Sequence, residues 1–160
     1  MKNRLALTIA SGFYIGFIPG APGTYASIVT TVGFFLAYHY THWIPPSLHM
    51  SAICLITMIG VLTSAIVSKN TGIKDPSYVV IDEAAGQLLT FLFVPFGILN
   101  LILGTIAFRV FDIWKPYPIR KLESLDDGVG VMADDLLAGI YANLVLQIIS
   151  ILIQVFRKVG

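Results

Sequence analysis

The chain has no acidic residue before Asp75 or after Asp135, and charge of either sign is scarce throughout. Lys, Arg, Asp and Glu together supply 12% of its residues, about half of the roughly 25% usual in soluble domains. Water is not the main solvent of such a chain. The formal charge is +1 and the cations are scattered, so no basic stripe exists and nucleic acid is not expected as a partner. Cysteine is nearly absent as well. Cys54 alone can close no internal disulfide, and its place in the apolar run SAICLITMIGVL reads as a small packed hydrophobe. Neither a G-x-x-x-x-G-K-[ST] phosphate loop nor a G-x-S-x-G nucleophile turn occurs. His39, His42 and His49 lie far in sequence from every acidic motif. Any hydrolysis would therefore use carboxylates and a metal rather than a triad or a phosphohistidine.

What is present is apolar length. Hydrophobic residues make up 56% of the 160, and the mean hydropathy is +0.83. A spanning helix needs about 20 largely apolar residues, because the hydrocarbon core is about 30 Å thick. Ser27 to Ile44, Leu48 to Ser68 and Leu136 to Phe156 meet that need, and Ala84 to Phe108 is a fourth, less simple segment. Val94-Pro95-Phe96-Gly97 at its centre makes it either a kinked single span or a hairpin of two half-helices. In the hairpin, the loops around residues 69–82 and 109–134 share one side. Their six cations against none at residues 44–49 favour that arrangement, with the shared side cytoplasmic. The expected architecture is all-α, an integral membrane helical bundle with about four apolar segments, forming one domain over residues 1–160. The N-terminus MKNRLALTIASGFYIGF carries a signal peptide's charge pattern. Gly12, Gly16 and Pro19 interrupt it, so it reads as a retained interfacial or partly buried helix.

The acidic residues gather at the mouths of these segments. Asp75-Pro76 reads as a helix N-cap followed by proline at the first helical position, which puts Asp82 and Glu83 two turns into a helix entering its apolar part. Asp134 and Asp135 stand likewise ahead of Leu136. A carboxylate at the edge of hydrocarbon is costly unless it is paired, protonated or bound to a cation. Gly86 lies four residues after Asp82 and Gly139 four after Asp135, so each acid shares a helix face with a missing side chain. Two such helices side by side would gather four carboxylates. Oxygen ligands of that kind suit Mg²⁺. Arg109 and Asp112, three residues apart, can pair, or can serve as a phosphate fork and a further metal ligand. Trp114-Lys115-Pro116-Tyr117-Pro118 breaks the helix and mixes aromatics with a cation, as headgroup contacts do. Pro19-Gly20-Ala21-Pro22-Gly23-Thr24 reads as a connector or as an anion-holding turn, and Asp126 to Gly130 as a flexible turn.

Four motifs in order, PGAPGT from Pro19, DEAAG from Asp82, FRVFDIWKPYPIR from Phe108 and GVGVMADDLLAG from Gly128, resemble the signatures of the bacterial phosphatidylglycerophosphatase A family. The resemblance covers nearly the whole chain. It implies Mg²⁺-dependent removal of the terminal phosphate of phosphatidylglycerophosphate at the cytoplasmic face of the bacterial inner membrane, by a compact α-helical bundle among membrane lipids. By position it implies Asp82, Glu83, Asp112, Asp134 and Asp135 as metal ligands, with Asp82, Glu83, Asp134 and Asp135 also catalytic. Arg109, Lys115 and Arg120 would contact the phosphate, and the loop containing Gly23 and Thr24 would close over the headgroup. The Ser-Leu-Asp-Asp stretch before Gly128 departs from the more basic, glycine-rich lead-in of the family. Asp126 and Asp127 therefore stay outside the expected site, and Asp75 and Glu123 read as cap and loop charge. A cation-binding transport or channel subunit is the alternative, since carboxylates inside membranes also mark ion paths. It would need them deep in the spans.

Overall fold

The computed structural model describes residues 2–122, 124–125 and 127–159. Glu123 and Asp126, expected as loop charge, lie outside the described residues, as does the side chain of Asp127. Among the described residues all regular structure is helical. The helices are α1 (Lys2–Ala10), α2 (Pro22–Thr41), α3 (Pro46–Thr71), α4 (Ile81–Thr90), α5 (Ile98–Trp114), α6 (Ile119–Leu122) and α7 (Asp127–Val159), with a 3₁₀ turn at Ile15–Phe17. The longest helix, α7, packs against α3, α4, α5 and α6, while α1 lies on α3 and α2 on α4 and α5.

Among the described residues two helices, not four segments, are long and apolar enough to cross a bilayer: α3, and α7 over Gly128–Phe156. The sequence of α2 is diluted by Thr24, Ser27, Thr30, Thr31, Tyr38 and His39. The Ala84 to Phe108 segment divides into α4, of 10 residues, and α5, of 17. At about 1.5 Å per residue α4 rises only about 15 Å, half of the hydrocarbon core. Glu83 at the start of α4 lies beside Arg109 near the end of α5, and Phe91 after α4 packs with Leu101 early in α5. The segment is a hairpin. In each of the two long windows only 28% of residues are buried, so neither is the core helix of a soluble protein. Leu55, Met58 and Leu62 on α3 and Leu144, Ile148 and Ile151 on α7 stand open. The protein is membrane-associated.

Glycines set the closeness of the bundle where two backbones meet. A Cβ at Gly86 would strike the Asp135 carbonyl, and one at Gly139 the Gly86 carbonyl. The α4–α7 contact anticipated from those two positions is therefore present. Gly128 makes a similar approach to the Val61 carbonyl of α3, which holds residues 127–130 inside α7 instead of in the flexible turn expected there. Two further expectations change. Cys54 is exposed on α3, because an apolar run does not say which face of its helix packs. No helix starts at Pro76: residues 75–80 are irregular and Val80 precedes α4. The Val80 N–H is used by the Ala10 carbonyl at 2.8 Å, which ties this segment to the end of α1.

Candidate active site

The helix start at Ile81 places Asp82 and Glu83 in the first turn of α4, where free N–H groups and the helix dipole favour negative charge. The end of α5 delivers Arg109 and Asp112, and the early part of α7 delivers Asp134 and Asp135. Lys115 follows α5 in the left-handed region at φ 45°, which ends that helix and turns the chain. These residues wall one polar pocket of about 240 Å³ together with Ala21, Pro22 and Gly23 at the start of α2. A Cβ at Gly23 would run into the Glu83 carboxylate, so glycine there lets the α2 turn close on the pocket.

Inside the pocket, one oxygen from each of Asp82, Glu83 and Asp135 lies within 4.8 Å of the others. Asp82 and Asp135 are nearly inaccessible, at 7% and 3% exposure. Asp134 accepts a hydrogen bond from Lys115 Nζ at 2.7 Å. Arg109 Nη1 stands 2.6 Å from Asp112 Oδ2 and 3.8 Å from Glu83 Oε1. Glu83 Oε2, Asp135 Oδ2 and Arg109 Nε are buried with no hydrogen-bond partner among the described residues. Buried polar atoms left in that state are costly and rare in finished structure. Burial first, and then the charge of Glu83, raise the Asp82 carboxyl well above its ordinary range. Burial also raises Glu83, although its link to Asp82 and the charge of Arg109 oppose the shift. Two acceptors and a donor thus face a pocket whose negative charge exceeds the cations that neutralise it.

The model of the family described as phosphatidylglycerophosphatase A matches residues 8–150. The chain belongs to the phosphatidylglycerophosphatase A family. It is 30% identical to phosphatidylglycerophosphatase A of Escherichia coli, covering 93% of this chain and 88% of that protein. It is 34% identical to the Haemophilus influenzae protein of the same name, over 86% and 84%. A Bacteroides thetaiotaomicron protein provisionally named a phosphatidylinositol-3-phosphatase is 34% identical, over 90% and 92%. No solved structure matches the chain. Membership in the phosphatidylglycerophosphatase A family makes this protein a phosphatase acting on a phosphate monoester, and implies a phospholipid substrate.

Of the residues expected at the site, Asp82, Glu83, Arg109, Asp112, Lys115, Asp134, Asp135 and Gly23 line the pocket. Thr24 lines an adjoining apolar cavity instead, on the other side of Arg109. Arg120 is exposed on α6 and is not part of the pocket wall. Asp75 and Ser77 do form part of it, although the sequence suggested only a helix cap there. Their position depends on Gly16, where a Cβ would strike the Tyr78 carbonyl. In the sequence Gly12 and Gly16 read only as breaks in the N-terminal apolar stretch. The histidines stay out of the pocket. His49 is buried with Nε2 3.0 Å from the Leu88 carbonyl, near the other end of α4.

Proposed function

We propose that the protein is an Mg²⁺-dependent phosphatidylglycerophosphatase, which converts phosphatidylglycerophosphate to phosphatidylglycerol and inorganic phosphate in phospholipid biosynthesis. The carrying observation is the group of buried Asp82 and Asp135 with half-buried Glu83, one oxygen from each within 4.8 Å of the others, while Glu83 Oε2 and Asp135 Oδ2 have no donor among the described residues. A donor set made only of carboxylate oxygens fits a hard divalent cation, and Mg²⁺ takes one or two carboxylates plus waters and phosphate oxygens. Asp82, Glu83 and Asp135 would hold the ion, with Asp112 and Asp134 beside it. Bound there, Mg²⁺ supplies positive charge against the phosphate and eases deprotonation of water.

The remaining work falls to the chain itself. Arg109 has an unused buried Nε and offers a planar fork to phosphate oxygens. Lys115, on the opposite carboxylate, offers a point charge. Together they hold the phosphate against carboxylates that would otherwise repel it. One carboxylate of the set Asp82, Glu83, Asp134 and Asp135 accepts the proton of the attacking water. Water's oxygen bonds to phosphorus, the bond to the glycerol oxygen breaks, and that oxygen takes a proton as the alcohol leaves.

Depth also supports a lipid substrate. Beyond Asp135, the stretch from Leu136 to Phe156 rises about 31 Å, enough to cross the hydrocarbon by itself. The pocket would then sit at the membrane face, where a headgroup lies, which disfavours an ion path through the bundle. The segments that carry the pocket's residues also hold Lys74, Lys115, Arg120 and Lys121, against no Lys or Arg at residues 44–49, a Lys/Arg bias that fits the cytoplasmic side of a bacterial inner membrane. Protein purified in detergent should release phosphate from phosphatidylglycerophosphate only with Mg²⁺, and faster than from phosphatidylinositol 3-phosphate. Equal rates without metal, or preference for the inositol lipid, would remove this reading. For orientation, Ser77→Cys should be labelled by an impermeant thiol reagent in inside-out vesicles and protected in right-side-out ones.

A further inference from the structure

Arg109 faces two cavities. One is the carboxylate pocket, and the other is an apolar cavity of about 510 Å³ between α2 and α5. The apolar cavity continues into a second one of about 420 Å³, because Ile28, Thr105 and Ile106 line both. The result is one groove that runs along α5 from Arg109 to Ile98. Its lining is mostly apolar, with three threonines, Thr24, Thr31 and Thr105. The Thr31 and Thr105 hydroxyls lie 2.8 Å apart, one donating to the other, and each also lies within hydrogen-bond distance of a carbonyl of its own helix, Ser27 for Thr31 and Leu101 for Thr105.

We propose that this groove seats one acyl chain of the phospholipid whose phosphate enters the pocket, an assignment that rests on the lipid phosphatase reading above. Length supports it. Eleven helical steps from Ile98 to Arg109 rise about 16 Å at about 1.5 Å per residue, close to half of the roughly 30 Å hydrocarbon core. That is the depth of one leaflet and so of one chain. Polarity supports it too, since among the described residues the only charged one on the groove is Arg109, at the end where a phosphate would stand. An acyl chain anchored there would leave its headgroup at the mouth of the carboxylate pocket. Ile102 and Ile106, 54% and 56% exposed, are then groove walls in addition to lipid-facing residues.

The test uses the full chain in detergent with a phosphatidic acid that carries a diazirine midway along one acyl chain. After illumination, adducts should concentrate on α2 and α5 around Ile28, Val32, Ile102 and Ile106. Tenfold excess phosphatidic acid should suppress them and the same excess of phosphatidylcholine should not. Even labelling of α3 and α7, or equal competition by phosphatidylcholine, would show ordinary surrounding lipid and overturn the proposal. Ile102→Trp, which fills the groove away from the pocket, should raise KM about tenfold for a dioleoyl substrate and less than about twofold for a dihexanoyl one, with kcat kept. Equal rises for both would also overturn it. Labelling reads the groove without turnover, so absence of phosphate release beside intact, competed labelling would remove the phosphatase reading and leave the groove standing.

Discussion

At the tip of the α4–α5 hairpin, Asn143 of α7 donates to the carbonyls of Leu89, Thr90 and Leu92, the closest at 2.7 Å. Around it Phe34 stacks on Phe91, and Tyr38 on Phe96. At the mouth of the same hairpin, Glu83 Oε2, Asp135 Oδ2 and Arg109 Nε are buried with no partner among the described residues. Among the described residues the carbonyls freed by the helix break at the tip have a donor and Ser150 Oγ is the polar atom there without a partner, whereas at the mouth it is charged groups that lack one. Backbone freed by a helix break at membrane depth is tolerated only when protein satisfies it, and Asn143 does so. The mouth keeps charge that the fold alone leaves unneutralised, as a site awaiting a cation and an anionic substrate would. Stability is concentrated at one end, and reactivity at the other.

Substitutions at the two ends should therefore separate activity from stability. The largest effect is expected at the mouth: Asp135→Asn should lower phosphate release by about 10²–10⁴-fold, while the melting temperature of the metal-free protein holds or rises. A drop in melting temperature matching the loss of activity would erase the contrast. The tip should behave in the opposite way. Asn143→Ala removes the donor to the Thr90 and Leu92 carbonyls and should cost about 1–3 kcal/mol in denaturant unfolding, with kcat changed less than about twofold.

The smallest effect is a pH dependence confined to the mouth. Asp82 and Glu83 have raised values in the folded protein and ordinary ones when unfolded, so folding favours their protonated forms. Their contribution is fully present below the ordinary carboxylate range and is lost as pH rises through the raised values. Metal-free protein should melt lower at about pH 8 than at about pH 5, and Mg²⁺ should recover part of the loss by binding the ionised carboxylates. Asp82→Asn should flatten the slope, whereas Asn143→Ala should leave it intact. An unchanged slope in Asp82→Asn would place the titrating group elsewhere.

Much of the mouth was legible in the sequence. Paired acids ahead of apolar runs, each four residues before a glycine, indicated that Asp82 and Asp135 face a neighbouring helix, because i and i+4 share a face. The Arg109–Asp112 contact followed from their i, i+3 spacing. Asp75 and Ser77 were not legible. An Asp-Pro pair carries a local cap signal, and what overrode it was the approach of Gly16 to Tyr78 and the Val80–Ala10 hydrogen bond. The role of Asn143 was hidden as well, since one polar residue in an apolar helix does not name its partner.

The sequence by itself determined the helical class, the apolar character and the identity of the residues that gather at one end. Those properties follow from periodicity and composition, which act over a few turns of chain. Tertiary structure decided that Pro95 marks a hairpin, that α3 and α7 are the two long apolar helices, and that Thr24 and Arg120 lie off the carboxylate pocket while Asp75 joins it. Such choices depend on which surfaces meet, and contacts between residues far apart in sequence fix them. The acids confined between Asp75 and Asp135 become a site only because α4 and α7 touch backbone to backbone at Gly86 and Gly139.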